Sequence, residues 1–308
     1  MEKVSKQHLI YAMSASNEPV LKVKPGTAVL FETCDCFEDQ ITSEDTPFDA
    51  LDWDKINPAT GPVYIEGAES GDILAVRIDK IAIKDKGVMM TGPDLGVLGG
   101  ELKQNTIKMI PIENEHAMLS STLQIPVNKM IGVIGTAPAE GAVSCGTPDD
   151  HGGNMDCKEI TEGAVLLLPV NVPGALLALG DLHAAMADGE AAVCGVEVAG
   201  EVLVRIDLIK GKKWPLPMIV NDTHIMTLSS KETLDEASNQ AVINMVDFLD
   251  TETGMDRDEA IFLLSLAGNL KICQVVDPNK TARVELPLRY VENQFSLDSL
   301  LRGAKEHV

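Results

Sequence analysis

The sequence predicts a mainly β fold of the α+β class, in which a helical pair near the C-terminus follows a long strand-rich region. The chain has 308 residues, and its 25 glycines and 16 prolines separate many short apolar runs. Frequent turn residues between short apolar runs favour strands over a helical bundle. Apolar residues recur at the helical spacing of three and four only after about residue 229, where two segments have this pattern.

The strands are predicted from short apolar or alternating segments that are bounded by Gly, Pro, Asn or Asp. Between residues 163 and 209 the alternation is only partial, which is typical of strands that are buried on both faces. The predicted strands are residues 26–32, 63–66, 73–81, 129–134, 164–168, 174–179, 190–199, 201–209 and 270–276.

The first predicted helix contains apolar residues from Leu234 to Leu249 that recur at spacings of three and four. This spacing places an apolar stripe on one face of the helix. Ser230, Glu232 and Thr233 offer the side chains that begin helices, and Gly254 ends the segment.

The second predicted helix runs from about Arg257 to Ala267, begins after Asp256 and is stopped by Gly268. Between Ile261 and Leu266 it is apolar nearly all round. A helix that is apolar all round is normally enclosed by the rest of the protein, so we expect this helix to be buried.

The sequence shows no sharp domain boundary, because neither an internal repeat nor a low-complexity linker separates its parts. We expect a β-rich core at residues 1–213 that carries the site. A helix-containing part at residues 214–308 then packs on this core. A single domain is the alternative.

The charge of the chain bears on its partners. Its 25 Lys and Arg stand against 47 Asp and Glu, which gives a formal charge of -22. This surplus repels phosphate backbones and anionic lipid surfaces, so we expect no nucleic-acid and no membrane partner. Most of the carboxylates are explained by a soluble acidic surface, and the alternative for a few is that they converge on a cation.

The cysteines bear on the compartment. Six of them are scattered through the chain without a C-x-x-C pair, which fits free thiols in a reducing compartment. The first residues of the chain are charged and lack the apolar stretch of a signal peptide. We therefore expect a cytoplasmic protein.

Polar groups suited to metal binding or acid–base chemistry concentrate between residues 148 and 197, within otherwise apolar sequence. Residues two apart in an extended chain point to the same side. This predicts three same-side pairs: Asn154 with Asp156, Asp181 with His183, and Asp188 with Glu190.

Such pairs beside buried strands are unfavourable unless something satisfies them. A divalent cation does so, because one imidazole and several carboxylates suit zinc and also tolerate calcium or manganese. The alternative is that Asp181 and Asp188 are turn residues and that His183 is a core histidine with satisfied hydrogen bonds.

The cysteines near these clusters are weaker candidates. In an extended chain, Cys34 and Cys36 place two thiols on one side and Asp35 on the other. A buried strand end is favoured over a metal clip here, although a carboxylate at a strand end is a natural cation ligand. A small buried residue is the commoner interpretation of Cys145 and Cys157, and the chain has no Gly-x-Ser-x-Gly nucleophile motif.

Five sequence blocks together resemble the acetamidase/formamidase family. The matching region runs from about Asp35 to Glu197 and covers most of the protein. Ser70 stands where Pro is usual, and Met186-Ala187 replaces the commoner Gln-Gly. The blocks are residues 61–72 (GPVYIEGAESGD), 131–133 (IGV), 151–156 (HGGNMD), 168–170 (LPV) and 180–190 (GDLHAAMADGE).

The resemblance implies a β-sandwich-like core, an oligomer (dimer or tetramer) and a metal-associated amidohydrolase for linear amides. The implied reaction converts formamide or acetamide to the carboxylate and ammonia. An ion, zinc first and calcium as the alternative, polarises the amide carbonyl and lowers the pKa of a bound water. Joined to the chemistry of the clusters, the resemblance implies these metal ligands: Asp35, Asp156, Asp181 and His183.

In the same interpretation Glu190 is the general base, and His151 or Asp188 orients the substrate. Asn154 and Glu197 are expected to contact the substrate. Two alternatives stay open: a hydrolase of another small amide or a cyclic imide, and a metal-stabilised β-sandwich that binds without catalysing.

Overall fold

The computed structural model of the chain describes residues 1–293 and 295–297. Their first strands are β1 (Glu2–Val4), β2 (Leu9–Ile10), β3 (Ala12–Ser14), β4 (Leu21–Val23), β5 (Thr27–Thr33), β6 (Ala59–Ile65), β7 (Ile73–Ile83), β8 (Lys86–Thr91), β9 (Thr106–Glu113), β10 (His116–Met118) and β11 (Gln124–Pro126). The later strands are β12 (Met130–Gly135), β13 (Ala142–Ser144), β14 (Gly152–Asn154), β15 (Val165–Pro169), β16 (Leu177–His183), β17 (Glu197–Val198), β18 (Gly200–Ile209), β19 (Met218–Val220), β20 (His224–Lys231), β21 (Asn269–Gln274) and β22 (Lys280–Pro287). The helices are α1 (Leu234–Thr253) and α2 (Arg257–Ala267).

Two large sheets and a small one contain these strands. The nine-stranded sheet has the order β1-β5-β18-β7-β15-β19-β20-β22-β21, and only its β1–β5 pair is parallel among the described residues. The eleven-stranded sheet has the order β11-β10-β9-β8-β17-β16-β12-β14, with β6 joining β16 to β2 and β4. Strands β3 and β13 form the small sheet. The mainly β fold with two late helices is confirmed.

The nine-stranded sheet is buried on both faces, which explains the partial alternation of its sequence. Leu74 and Val76 of β7 belong to the core that this sheet shares with the eleven-stranded sheet. Ile73 and Ala75 of the same strand belong to the core beneath the helices. Successive side chains therefore serve opposite faces. The β-sandwich-like core is confirmed, with the helical pair as an added layer.

Most predicted strands are confirmed within a few residues, but the one predicted at 190–199 is wrong over most of its length. Only its end forms a strand, β17. Glu190 and Val193 adopt left-handed backbone conformations, with φ of 43° and 82°, and the chain turns between them. Left-handed residues do not continue a strand, and this turn directs Glu190 into the interior.

Both helices begin and end close to the predicted residues. At the start of α1, the side chain of Thr233 accepts a hydrogen bond from the Glu236 backbone N–H, and Glu236 reciprocates. In this capping box, Thr233 is the N-cap residue of α1. Asp256 caps α2 by accepting hydrogen bonds from two backbone N–H groups, and Gly268 ends it.

The prediction that α2 is buried is wrong. Only Ala260 and Leu264 are buried, whereas Phe262 is 66% exposed and Leu266 is 87% exposed. The reason is the position of the helix, because α2 packs mainly on α1 and only its edge reaches β22. One stripe is therefore enough to attach it, and the remaining apolar side chains face outward.

The nine-stranded sheet takes strands from both sides of residue 213. Five of its strands come before this position, and β19 to β22 come after it. On this basis we propose the single-domain alternative, in which the two parts of the chain fold as one unit. The predicted domain boundary at residue 213 stays untested. Neither of the described helices has the length and apolar character to cross a membrane.

Replacing Phe248 by alanine is expected to lower the free energy of unfolding by about 3–5 kcal/mol, because a cavity forms beneath α1. Phe248 is fully buried and packs edge-on against Trp214 and Phe295, with ring centroids 5.7 and 5.3 Å apart. The control is Ile243→Ala on the exposed side of α1, for which we expect less than about 1 kcal/mol. Urea denaturation measures both, and equal losses would contradict this packing.

Candidate metal and catalytic site

A cavity of about 120 Å³ lies over β14, β16 and β17 of the eleven-stranded sheet. Part of its wall is apolar, formed by Phe37, Trp53, Ile56, Met90 and Leu95. Val193 and Cys194 also line it, and the rest is polar, formed by Cys36, Asn57, Asn154, Asp156, Asp181, His183, Glu190, Glu197 and Asp277. Six of the nine residues predicted for the site therefore line one cavity.

Strand pairing brings the central groups together. Asp181 and His183 lie two apart on β16, and His183 pairs directly with Glu197 on β17. His183 Nε2 is 3.1 Å from Glu197 Oε1 and 3.4 Å from Asp181 Oδ1. Directly opposed residues of antiparallel strands share a side of the sheet, so the same-side pair predicted at 181 and 183 gains a third member.

Asp156 joins this group from the end of β14. Its Oδ1 lies 3.7 Å from His183 Nε2. Gly132 on β12 makes the approach feasible, because a Cβ at this position would lie 2.5 Å from a carboxylate oxygen of both Asp156 and Asp181. Any other residue at 132 would push these two carboxylates apart.

The backbone at three of these carboxylates is unusual. Asp156, Asp181 and Glu190 have φ of 42°, 56° and 43°. Left-handed conformations are uncommon outside glycine, and such residues concentrate where function requires a particular side-chain direction. Here the conformations aim three buried carboxyl groups at the same cavity.

Several buried polar atoms around the cavity have no hydrogen-bond partner within the described residues. They include Asn154 Oδ1, Asp156 Oδ1, Asp181 Oδ1, His183 Nδ1, Glu190 Oε2 and Glu197 Oε2. Buried polar atoms normally have partners, so this cluster is complete only with an added group. Two groups of residues each bring three potential ligand atoms within 4.8 Å of one another. The first group is Asp156, His183 and Glu190, and the second is Cys36, Asp181 and Glu197. The residues therefore fit a divalent cation.

Burial and charge shift the pKa values of the central groups. Burial raises the pKa of Glu197 to about 8, although the nearby His183 opposes this. Burial lowers the pKa of His183, but Glu197 and Asp181 outweigh it and raise the pKa well above its ordinary value. Burial raises the pKa of Asp181, and the charge of His183 reverses this to a value below the ordinary one. These shifts favour an imidazolium at His183 paired with a carboxylate at Asp181.

The outer carboxyl groups behave differently. Burial raises the pKa of Asp156, Asp277 and Glu190 well above the ordinary value, and the neighbouring carboxyl groups add to the rise. Burial likewise raises the pKa of the Cys36 thiol, with Glu197 adding to it. These shifts favour the protonated forms of the four groups, and the charge of a bound cation would oppose them.

The predicted same-side pair of Asp188 with Glu190 is wrong, because the chain turns at Gly189 instead of running extended. Asp188 lies outside the cavity lining. Its two carboxylate oxygens accept hydrogen bonds from buried Arg283, at 2.7 and 3.1 Å, and Lys158 lies 3.0 Å away. Asp188 thus anchors the turn that presents Glu190.

Asp35 and His151 also lie outside the cavity lining. The strand ends at Thr33, and Asp35 Oδ1 then closes a turn by accepting hydrogen bonds from the backbone N–H of Phe37 and Asp39. Burial raises the pKa of Asp35 to about 6. His151 is buried, and burial lowers its pKa, so its imidazole is neutral.

Among the cavity residues that the sequence does not predict for the site, Cys36 and Asp277 carry ionisable groups close to the central cluster. The sequence favours a strand end at Cys36, but the turn closed by Asp35 places Cys36 in the cavity lining. Asp277 lies in the turn between β21 and β22 and accepts a hydrogen bond from Asn154 Nδ2 at 3.1 Å. A lone aspartate before a proline is typical of a turn, so the sequence holds no signal for this role.

Comparison with known proteins places these features in a family context. The chain matches the model of the acetamidase/formamidase family over residues 15–145 and 139–293. It is similar to the solved acetamidase from Bacillus halodurans, with 47% identity and a TM-score of 0.93 over 96% of this chain and 100% of that one.

Two further relatives extend this comparison. A solved protein from Thermoanaerobacter tengcongensis, described as a predicted acetamidase/formamidase, is 46% identical with a TM-score of 0.93, over 95% of this chain and 97% of that one. The formamidase of Methylophilus methylotrophus is 26% identical over 89% of this chain and 87% of its own length.

Binding of a divalent cation, with zinc as the probe, is expected to release about one proton or more per ion near pH 7, because the cation replaces protons on His183 and on the cavity carboxyl groups. Apparent affinity should rise from about pH 6 to about pH 8, since deprotonated Glu197 becomes more abundant over this range. Calorimetry in two buffers of different ionisation enthalpy counts the protons. The control is Asp150→Asn at an exposed position, and pH-independent binding without proton release would contradict the site.

Proposed function

The chain belongs to the acetamidase/formamidase family, and from this premise we propose that it hydrolyses a small aliphatic amide, formamide or acetamide, to the carboxylate and ammonia. The observation that carries the proposal is one imidazole and five carboxyl groups gathered around a cavity of about 120 Å³. A cavity of this size suits a substrate of a few heavy atoms.

We propose that a divalent cation binds at Asp156, Asp181 and His183. Glu197 is a better candidate for a fourth ligand than Asp35, because Asp35 Oδ1 is engaged in a turn whereas Glu197 faces His183. Imidazole and the nearby Cys36 thiol favour zinc over calcium, which prefers an all-oxygen set. When bound, such a cation polarises the amide carbonyl and lowers the pKa of water.

Glu190 is the proposed general base. Its Oε2 is buried without a hydrogen-bond partner within the described residues, and the positive charge of a bound cation would favour the ionised carboxylate, which can accept a proton. Glu190 takes a proton from water as the water oxygen bonds to the amide carbon. It returns this proton to the amide nitrogen as the carbon–nitrogen bond breaks, and ammonia leaves.

The surroundings of Glu190 support this role. The Asp188–Arg283 pair holds one side of the turn, and the Gly189 backbone N–H donates to the Cys273 carbonyl at 2.9 Å. The apolar wall, with Phe37 and Met90, limits water near the reacting groups and strengthens electrostatic interactions there. Asp188 acts in this proposal as a positioning residue, and the role of His151 stays a prediction.

We also propose a homo-oligomer, a dimer or tetramer, that assembles through the α2–β21 face. This face consists of Ile261, Phe262 and Leu266 on α2 and Leu270 and Ile272 on β21, all at least one-third exposed. Strand β21 is an edge strand of the nine-stranded sheet in the described part of the chain. A second copy of an edge strand can pair with it about a two-fold axis and cover the apolar side chains.

The proposed location is the cytoplasm. All six cysteines are free and buried, which suits a reducing compartment. The charge of -22 supports a small-molecule substrate over nucleic acid or an anionic lipid surface.

Replacing Glu190 by glutamine is expected to lower kcat for acetamide by about 100-fold or more, because the general base is lost while its shape is kept. Ammonia release from zinc-loaded protein measures this, with zinc content determined on the same samples. The control is Glu115→Gln at an exposed turn, which should keep full activity.

Full activity of Glu190→Gln would refute this role. If wild-type protein with zinc opens cyclic imides to their half-amides, measured by chromatography, but releases no ammonia from linear amides, the alternative substrate is correct. If it hydrolyses neither, the protein binds without catalysing.

The paired substitution Phe262→Ser and Leu266→Ser is expected to reduce the oligomer to a monomer, because it removes most of the apolar area of the α2–β21 face. Light scattering after size-exclusion chromatography measures the mass. The control, Val97→Ser with Leu98→Ser, changes two exposed apolar residues in a loop outside this face. A wild-type monomer, or an unchanged mass in the paired variant, would contradict the proposal.

A further inference from the structure

We propose that Asp277 and Asn154 form a subsite that accepts hydrogen bonds from the amide –NH2 group of the substrate and so selects primary amides over esters. The inference rests on the proposed amidase function and deepens it by assigning two residues to recognition of the leaving nitrogen. Both residues line the cavity beside Glu190.

The two side chains are joined to each other. Asn154 is 3% exposed, and its Nδ2 donates to Asp277 Oδ2 at 3.1 Å. This contact fixes the orientation of the Asn154 amide and leaves Oδ1 buried with no partner within the described residues. An unpaired buried acceptor beside a cavity requires a donor, and the bound substrate is the group that arrives there.

The turn that carries Asp277 is rigidly built. Gln274 is fully buried, and its Oε1 accepts from the backbone N–H of Val276 and Asp277 at 2.9 and 3.0 Å. Its Nε2 donates to the Asn279 carbonyl and to Thr281 Oγ1 at 2.6 and 3.1 Å. One buried amide side chain therefore fixes the turn, and Asp277 is held in place before substrate binds.

The turn is also tied to the part of the chain that precedes Asn154. Asn279 Nδ2 donates to the carbonyl of Pro148 at 2.9 Å. On the other side, Gln274 bridges to Gly189, the residue before Glu190. These contacts fix the position of Asp277 relative to both Asn154 and Glu190.

The chemistry of this pair matches an amide nitrogen. A primary amide carries two N–H donors, and the subsite offers acceptor oxygens from Asn154 and from the Asp277 carboxyl group. A carboxyl group has an acceptor oxygen in either protonation state, so the match does not depend on the pKa of Asp277. When Glu190 returns its proton and the carbon–nitrogen bond breaks, the same oxygens hold the departing ammonia.

An ester of similar size lacks these donors. Its alkoxy oxygen would face Asn154 Oδ1, which is an acceptor whatever the protonation state of Asp277, so this buried acceptor would stay unpaired and the two oxygen lone pairs would repel each other. Sites that hydrogen-bond a substrate N–H or O–H reject analogues without it by large factors, on the order of 10⁴ or more. Selection against esters therefore follows from the arrangement of two side chains.

The experiment compares acetamide with methyl acetate as substrates of zinc-loaded protein. Asp277→Asn keeps the shape but replaces an acceptor oxygen by a donor, and we expect kcat/KM for acetamide to fall about 100-fold. We expect kcat/KM for methyl acetate to change less than about threefold. Asn154→Ala removes the unpaired acceptor and should shift the amide-to-ester ratio in the same direction. The control Asp222→Asn alters an exposed turn and should leave both values unchanged.

The ratio of the two kcat/KM values is independent of the fraction of active protein. Partial unfolding or loss of zinc therefore leaves this ratio unchanged, and a merely structural role lowers kcat/KM equally for both substrates. An unchanged ratio in both variants overturns the subsite while the amidase function stands. Wild-type protein that hydrolyses neither substrate overturns the proposed function itself, and the subsite with it.

Discussion

The burial of several ionisable groups at one point of a β-sandwich is the constraint on which the rest of the structure depends. Removing carboxyl groups from water is unfavourable, and here they surround a single imidazole, His183, within a few ångströms. Gly132 leaves room for two of them to approach. The site therefore requires a cation or retained protons.

The C-terminal part of the chain completes this site. Arg283 on β22 binds Asp188 and so fixes the turn before Glu190. The adjoining hairpin supplies Asp277 from a turn that Gln274 holds. The helices pack on the opposite face of the same sheet, so they support the strands that carry these contacts without touching the cavity lining.

Local sequence patterns were reliable wherever the backbone stayed regular. The capping residues of both helices and most strands appear where residue spacing predicts them, because caps and alternation are local properties. The chain is not extended at residues 188–190, so the same-side pair predicted there is wrong, and it also turns at Asp35. Left-handed residues and side-chain-closed turns change the direction of a side chain without leaving a periodic signal.

The sequence by itself determined the fold class and the family, and it singled out Asp156, Asp181, His183 and Glu190, which line one cavity, since these residues lie in short local motifs. Only the tertiary structure decided that Asp277 belongs with them and that α2 is exposed. Both depend on contacts between segments far apart in the chain, which residue spacing does not encode. A helix that looks buried by composition is exposed when its neighbour already covers the sheet.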